Sequence, residues 1–201
     1  MSQKIEIKNL IFDVGGVIVL RKKIDFTKFD KKWSLPPGTT QKVLDFCFKK
    51  MSLNKKFNLK KYFLTNFSNL LSFKQYQEVI TQVFKAERLN KSLIRWIRKN
   101  RKKYTICILT NNTTFLNRLL KKRFKIYNDF DYIFNSAEIG LSKPSPLLFN
   151  FIIKKLKTKS ENCLFIDDNP TNIKVAKKLG FFTILFINNK KFFEEIRRFI
   201  K

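Results

Sequence analysis

Residues 9–17 read NLIFDVGGV, and this stretch decides the fold. Residues 9–12 form a largely apolar run without regular polar alternation, which is typical of a strand buried on both faces of a sheet. The run stops at Asp13, and Gly15 and Gly16 indicate a tight exit from the strand. We therefore predict a buried β-strand that presents a carboxylate at its carboxyl end.

Later apolar runs repeat this pattern, at Tyr104 to Leu109, Asp131 to Phe134, Cys163 to Ile166 and Phe181 to Ile187. Segments with helical spacing of apolar residues lie between them, at Thr114 to Arg123, Pro144 to Lys155 and Thr171 to Lys178. Strands that alternate with helices and lack polar alternation indicate right-handed βαβ units. The predicted fold class is α/β, with a Rossmann-like, five-stranded parallel sheet and helices on both faces.

A long insertion separates the first two predicted strands. The sequence between them is much longer than one crossover helix requires. Its apolar residues recur at helical intervals, for example from Val43 to Met51 and from Tyr76 to Phe84, and no alternating strand pattern is visible. We therefore predict a small, all-helical cap domain at 21–90, joined by two linkers to a core made of 1–20 and 91–201.

The composition excludes several kinds of active site. The chain has 201 residues and no histidine, which excludes a Ser-His-Asp triad, a Cys-His dyad and a His-ligated zinc within this sequence. Cys47, Cys107 and Cys163 are far apart without a C-x-x-C pair, so we predict buried, reduced thiols. Residues 1–20 show neither a secretory nor a transmembrane pattern, and we expect a cytoplasmic protein without a membrane association.

The chain is strongly basic, with 43 Lys+Arg against 15 Asp+Glu and a formal net charge of +28. This charge raises the hypothesis of nucleic-acid binding, because Lys and Arg neutralise phosphates. The basic residues are nevertheless spread along the whole sequence, and the densest stretch, Arg95 to Tyr104, has helical spacing with Trp96 and Ile97 inward. We interpret the charge as a solvated surface that attracts anionic substrates, with a nucleic-acid patch as the alternative.

Polar residues follow three of the predicted strands, at Asp13, Thr110-Asn111 and Asp167-Asp168. In open α/β sheets, ligands bind beyond the carboxyl ends of the strands. Carboxylates that converge there repel each other unless a cation lies between them, and hard oxygen ligands favour Mg²⁺. Lys143 can bring a positive charge to the same edge. A carboxylate nucleophile, Mg²⁺ and a lysine together suit phosphoryl transfer.

The sequence also resembles a known family, the haloacid dehalogenase-like (HAD) hydrolases, in four motifs that occur in the right order. They are Phe12-Asp13-Val14-Gly15-Gly16-Val17, Leu109-Thr110-Asn111, Gly140-Leu141-Ser142-Lys143-Pro144-Ser145-Pro146, and Phe165-Ile166-Asp167-Asp168-Asn169 with Asn172. The resemblance covers nearly all of the predicted core. The helical insertion is similar to the cap of the subfamily that includes small phosphatases and 2-haloacid dehalogenases.

The resemblance implies a role for each matching residue. Asp13 would be the nucleophile and would form an aspartyl-phosphate that water hydrolyses. Thr110 and Asn111 would bind phosphoryl oxygens of a small phosphorylated substrate. Lys143 would neutralise both the nucleophile and the transferring group.

The resemblance also implies a Mg²⁺ site. Asp13 and Asp167 would ligate the metal, and Asp168 would support its water shell. The backbone carbonyl of Gly15 would be a further ligand. Asn172 is interpreted as a residue that orders this loop.

One position departs from the phosphatases of this family. They usually carry a second aspartate two residues after the nucleophile, which protonates the leaving oxygen, and this chain has Gly15 there. Loss of a positioned general acid costs about 10²–10⁴ in rate. Three hypotheses follow. The first is a phosphatase of small phosphomonoesters in which a cap residue, a water or a good leaving group compensates for the missing acid. The others are a haloacid dehalogenase-type hydrolase and a noncatalytic binding or regulatory protein. The pair Asp167-Asp168 favours phosphate chemistry, because cleavage of a carbon–halogen bond does not need a metal.

Overall fold

The chain has an α/β architecture in the computed structural model, which describes residues 6–200. Within that range the strands are β1 (Asn9–Phe12), β2 (Val19–Arg21), β3 (Glu87–Leu89), β4 (Thr105–Thr110), β5 (Tyr132–Asn135), β6 (Cys163–Asp167) and β7 (Phe182–Leu185). Five of them form a parallel sheet in the order β5-β4-β1-β6-β7. The predicted five-stranded parallel sheet is confirmed, and β1 lies at its centre.

The helices of the described residues are α1 (Thr27–Lys32), α2 (Thr39–Met51), α3 (Leu59–Phe67), α4 (Phe73–Ala86), α5 (Lys91–Asn100), α6 (Leu116–Arg118), α7 (Ser136–Ile139), α8 (Pro146–Leu156), α9 (Pro170–Lys178) and α10 (Asn189–Ile196). A π-helical turn at Leu119–Arg123 extends α6, and short 3-10 helices lie at Tyr127–Asp129 and Ser160–Asn162. Among the helices of residues 6–200, none is long and apolar enough to cross a membrane.

The parallel sheet is buried on both faces. Successive residues of each strand point to opposite sides, so neighbours in the sequence belong to different hydrophobic clusters. On one face, Leu10 and Phe12 of β1 belong to a hydrophobic cluster that includes residues of α5 and α10. On the other face, Ile11 belongs to a cluster that includes residues of α8 and α9. Burial on both faces explains why these strands show no polar alternation in the sequence.

Helices α1 to α4 form a helical unit between β2 and β3, with a hydrophobic core of its own. The buried residues of this core are Val43, Leu44, Cys47, Phe63, Leu71, Tyr76 and Val79. Phe63 is fully buried, and the centroid of its ring lies 5.1 Å from that of Tyr76 and 5.3 Å from that of Phe73. The apolar faces of the helices therefore pack against one another, as their periodicity indicates.

The buried carboxylate of Asp30 joins the first two helices of this unit. Gly38, at the start of α2, has a left-handed backbone with a φ of 81° and offers no side chain to the helix N-terminus. The Asp30 carboxylate instead accepts the Gly38 N–H at 2.7 Å, the Thr40 N–H at 2.9 Å and the Thr40 hydroxyl at 2.6 Å. A side chain of α1 thus satisfies amide groups that α2 cannot satisfy itself.

The two connections of the helical unit pair with each other, which corrects the expectation of an all-helical segment over 21–90. Strands β2 and β3 form an antiparallel ribbon in which Arg21 lies opposite Glu87. Arg21 donates to the Glu87 carboxylate at 2.7 Å, and Arg123 of the core donates to the Glu87 carbonyl at 2.9 Å. Strands of three residues are too short to show a recognisable period-two pattern in the sequence.

The helix expected at Thr114–Arg123 begins later, at Leu116, and continues as the π-helical turn. Asn112 and Thr113 form local hydrogen bonds with the backbone before it. Asn112 Oδ1 accepts the Thr113 N–H at 2.8 Å, and the Thr113 hydroxyl accepts the Phe115 N–H at 3.3 Å. Such side-chain contacts compete with helix formation, so the segment stays a loop.

Candidate active site

The register of the central strands places two carboxylates side by side. Phe12, the last residue of β1, pairs with Ile166 of β6, so the following residues, Asp13 and Asp167, reach the same edge of the sheet. The Asp13 N–H donates to the Ile166 carbonyl at 2.9 Å and continues the ladder beyond the strand end. Both aspartates are buried, Asp167 completely.

Lys143 lies between these two carboxylates. Its ammonium group is 2.8 Å from Asp13 Oδ1 and 2.6 Å from Asp167 Oδ2, and its side chain is 2% exposed. A buried charge is costly unless it is paired, and here one cation compensates two neighbouring anions. The trio keeps a net negative charge, which favours the approach of a further cation.

Asn111 holds the backbone of Lys143. Its Oδ1 accepts the Lys143 N–H and its Nδ2 donates to the Lys143 carbonyl, both at 2.8 Å. These bonds fix the segment that carries Lys143 against the end of β4. Both ends of the Asn111 side-chain amide bind the Lys143 backbone. If Asn111 contacts phosphoryl oxygens, its backbone N–H is the group that would do so.

Asp167 is oriented by its own loop and by α9. Its Oδ1 accepts the Asn169 N–H at 2.8 Å, and both of its oxygens lie 3.1 Å from Nδ2 of Asn172. Asn172 is itself buried. Its side-chain amide therefore helps to orient the Asp167 carboxylate.

Three carboxylates can meet at this edge. Oxygens of Asp13, Asp167 and Asp168 lie within 4.8 Å of one another. Hard carboxylate oxygens in such a group match the ligand preference of Mg²⁺. The residues present therefore fit a divalent cation, with Asp168 the exposed member of the set.

The glycines after β1 have different roles. Gly16 has a φ of +76°, and a Cβ at this position would overlap the Asp168 carboxylate, so only glycine allows Asp168 to approach the loop. A Cβ built at Gly15 meets no heavy atom within 4 Å. The position of a Cβ at Gly15 is therefore open space.

Burial raises the pKa of Asp13 to about 6, although Lys143 acts in the opposite direction and Asp167 adds to the rise. Partial burial also raises the pKa of Asp168 above its ordinary value, and the charge of Asp167 contributes. The negative charge is therefore costly in the absence of a metal. A divalent cation would relieve that cost by binding the ionised carboxylates.

Thr110 lies at the same edge. It is the buried last residue of β4, opposite Asn135 of β5, and one residue beyond the level of Asp13 in the register between β1 and β4. The segment that follows it, residues 111–115, is called the β4 loop below. The residues singled out from the sequence thus lie at or just beyond the carboxyl ends of β1, β4 and β6 and on the segment that carries Lys143.

The β4 loop is held by two residues that lie outside the four sequence motifs, Asn135 and Ser136. Asn135 Nδ2 donates to the Thr113 carbonyl at 2.9 Å, and the Asn112 N–H donates to the Ser136 hydroxyl at 3.1 Å. Asn135 and Ser136 are both fully buried. The sequence does mark these two residues, because they are a polar pair directly after the predicted strand that ends at Phe134, at the edge of the sheet where ligands bind.

Solved structures share this fold. A protein described as a predicted HAD-like family hydrolase from Porphyromonas gingivalis has 23% identity and a TM-score of 0.77, over 96% of this chain and 97% of that one. A HAD family enzyme from Bacteroides thetaiotaomicron, solved as a magnesium complex, has 22% identity and a TM-score of 0.75, over 95% and 98% of the two chains. At these identities the likeness shows the fold.

Curated relatives match shorter segments. D-ribitol-5-phosphate phosphatase from Bacteroides thetaiotaomicron is 34% identical over 89 residues, 41% of this chain and 43% of that protein. Bifunctional epoxide hydrolase 2 from Mus musculus is 29% identical over 126 residues, 60% of this chain and 23% of that protein. The matches therefore span less than half of the length of these relatives. The family model of haloacid dehalogenase-like hydrolases matches residues 7–180, and the chain belongs to that family.

Proposed function

We propose that this chain is a Mg²⁺-dependent phosphatase of small phosphomonoesters, which acts through an aspartyl-phosphate on Asp13. The observation that carries the proposal is the buried contact of Lys143 with Asp13 and Asp167, beside the carboxylate of Asp168. A nucleophile, a cation and a set of metal ligands meet at one edge of the sheet. Support also comes from a relative that is a D-ribitol-5-phosphate phosphatase and from a structural neighbour complexed with magnesium and inorganic phosphate.

Each residue of the site has a part in this chemistry. Asp13, Asp167 and the Gly15 carbonyl would hold Mg²⁺, and Asp168 would support its water shell; the metal would supply positive charge against the phosphoryl group. A carboxylate oxygen of Asp13 attacks phosphorus, the bond from phosphorus to the leaving oxygen breaks, and the leaving oxygen takes a proton from solvent water. Lys143 and Thr110 stabilise charge on the phosphoryl oxygens during this step. Water then attacks the phosphorus, which releases inorganic phosphate and restores the Asp13 carboxylate.

We infer the substrate class from what surrounds the site. The helical unit α1–α4, which we call the cap, contacts the core through a hydrogen bond of 2.6 Å from the Ser136 hydroxyl to the Ser52 carbonyl. A cap docked this close to the β4 loop favours small substrates over macromolecules. The basic surface attracts anions in general, and we do not propose a nucleic-acid partner. The three free, buried cysteines fit a reducing, cytoplasmic location.

Gly15 supports a second candidate function. Without an acid at this position, a phosphoester with a poor leaving group would turn over slowly. The second candidate is therefore a HAD-like protein that binds phosphorylated ligands without turnover. The cluster of three carboxylates argues against the haloacid dehalogenase alternative, because that reaction does not need a metal.

Hydrolysis of p-nitrophenyl phosphate, with and without Mg²⁺, tests the proposal, because this leaving group needs little protonation. The phosphatase predicts turnover that requires Mg²⁺ and disappears in Asp13→Asn. If metal binds to the native chain and no phosphate is released, the binding protein is the better account. Turnover that persists in Asp13→Asn would mean that a different group is the nucleophile.

A further inference from the structure

Ser136 lies where the core, the β4 loop and the cap meet. Its hydroxyl donates to the Ser52 carbonyl at 2.6 Å and accepts the Asn112 N–H at 3.1 Å. Ser136 is fully buried, and Ser52 is 6% exposed. One hydroxyl group thus contacts the cap and the loop after β4 at the same time.

The contact with the cap satisfies a helix end. Ser52 follows the last residue of α2, and the final carbonyls of a helix have no partner within the helix. The core residue Ser136 supplies the donor for the Ser52 carbonyl. The end of α2 is therefore completed by the core when the cap is docked.

The hydroxyl proton of Ser136 has a second acceptor within reach. The Asn112 carbonyl lies 3.5 Å from the Ser136 oxygen, farther than the Ser52 carbonyl. A serine hydroxyl has a single proton to donate, so it can serve only one of the two carbonyls fully. If the cap moves away, the Asn112 carbonyl is a protein acceptor already within reach, and the hydroxyl can rotate toward the β4 loop.

We infer that Ser136 is a positioning residue that couples the docking of the cap to the arrangement of the β4 loop. With the cap docked, the hydroxyl donates to the cap and its lone pair holds the Asn112 amide. With the cap away, the hydroxyl donates to Asn112 and its contact with that amide changes. By thermodynamic linkage, an anion that orders the β4 loop would also favour docking of the cap. This last step rests on the proposed function, with the backbone of Asn111, in the β4 loop, contacting the phosphoryl group.

Amide hydrogen exchange of the ligand-free protein tests the coupling without reference to activity. In Ser136→Ala, we expect exchange to rise roughly 3- to 10-fold at Asn112 and in the last turn of α2, because one hydrogen bond is lost at each place. Ser68→Ala is the matched control: the Ser68 hydroxyl donates to the Leu64 carbonyl at 2.7 Å within the cap, on its exposed surface. The control should leave both segments unchanged. Native exchange at both segments in Ser136→Ala, or a rise in only one of them, would overturn the inference.

Two further measurements separate this inference from the proposed function. Inorganic phosphate with Mg²⁺ should slow exchange in the β4 loop and in the last turn of α2 of the native chain, but only in the loop of Ser136→Ala. With p-nitrophenyl phosphate, Ser136→Ala should raise KM roughly 3- to 10-fold and leave kcat close to native, because Asp13, Lys143 and Asp167 are untouched. If phosphate protects neither segment of the native chain, the proposed function fails, while the ligand-free comparison still decides the role of Ser136.

Discussion

The buried ammonium group of Lys143 explains how two aspartates share one edge of the sheet. Without it, Asp13 and Asp167 would be adjacent buried anions, and one of them would take up a proton. Even beside Lys143, the pKa of Asp13 is raised to about 6 by burial. The nucleophile is therefore close to its protonated form at mildly acidic pH when no metal is bound.

The affinity for Mg²⁺ should consequently depend on pH. Below pH 6 a proton must leave Asp13 before the carboxylate can bind the metal, so affinity should fall by up to about tenfold for each unit of pH. Above pH 6 the carboxylate is already ionised, and this residue contributes no further change. Calorimetric titration with Mg²⁺ at pH 5 and at pH 7 measures the effect. Equal affinities at both values would contradict the raised pKa, and Asp13→Asn should remove the contribution of this residue.

Asn111 should matter through Lys143. Asn111→Ala removes both hydrogen bonds to the Lys143 backbone, so the ammonium group loses its fixed position between the carboxylates. We expect kcat for p-nitrophenyl phosphate to fall on the order of 10²-fold, since small displacements of reacting groups are costly. Asn66→Ala is the control, because its side chain donates to the Tyr62 carbonyl on the exposed side of α3. A native kcat in Asn111→Ala would show that Lys143 is held by other contacts.

Gly15 offers a gain-of-function test. A Cβ built at this position meets no heavy atom within 4 Å, so Gly15→Asp can be introduced without a clash at its Cβ and brings a carboxylic acid to the loop after the nucleophile. We expect faster hydrolysis of alkyl phosphates, within the range of about 10²–10⁴ that a general acid contributes. Hydrolysis of p-nitrophenyl phosphate should change far less. If the alkyl esters gain nothing, another group already acts as the acid.

At the scale of single residues, the sequence predicts side chains at strand ends better than side chains that hold the surrounding loops in place. Asp13 and Asp167 could be found because apolar runs stop there and parallel strands end at one edge. The role of Ser136 could not, because its partner Ser52 is 84 residues away in the chain. Polar residues after a strand are also common in ordinary turns, so their type alone does not distinguish a support from a turn.

Among the elements, the cap helices are expected to be stable as a unit because they share a hydrophobic core. Phe63→Ala removes a fully buried ring from that core and should lower the free energy of unfolding by about 3–5 kcal/mol. The neighbouring Leu64 is 46% exposed, and Leu64→Ala should change the free energy of unfolding by less than about 0.5 kcal/mol. Denaturant titration measures both, and hydrogen exchange should locate the loss in α2 to α4. Equal effects of the two substitutions would contradict this description of the cap core.

The elements also differ in how well the sequence predicts them. The strands of the central sheet are recognisable because both of their faces are buried, which gives continuous apolar runs. The ribbon of β2 and β3 is not, since each strand has three residues and its pairing joins segments far apart in the chain. The late start of α6 depends on local hydrogen bonds of Asn112 and Thr113, which periodicity does not report.

On the scale of the whole molecule, the site is a small negative cluster within a strongly basic protein. The formal net charge is +28, yet three of the 15 acidic residues converge at the end of β1 and β6. Coulomb attraction to the surface would bring anions toward the protein, and a bound cation would let a phosphoryl group approach the carboxylates. The α/β fold could be predicted from alternating apolar runs and helical segments. The docked position of the cap could not, because it depends on contacts such as Ser136 with Ser52.

The most direct test of this account is to trap the covalent intermediate. The native chain, mixed with p-nitrophenyl phosphate and Mg²⁺ and quenched in acid, should carry one added phosphoryl group, and peptide mass spectrometry should place it on Asp13. Asp13→Asn, treated in the same way, should carry none. Release of phosphate by a chain that never acquires a phosphoryl group on Asp13, or that acquires it on another residue, would contradict the central claim.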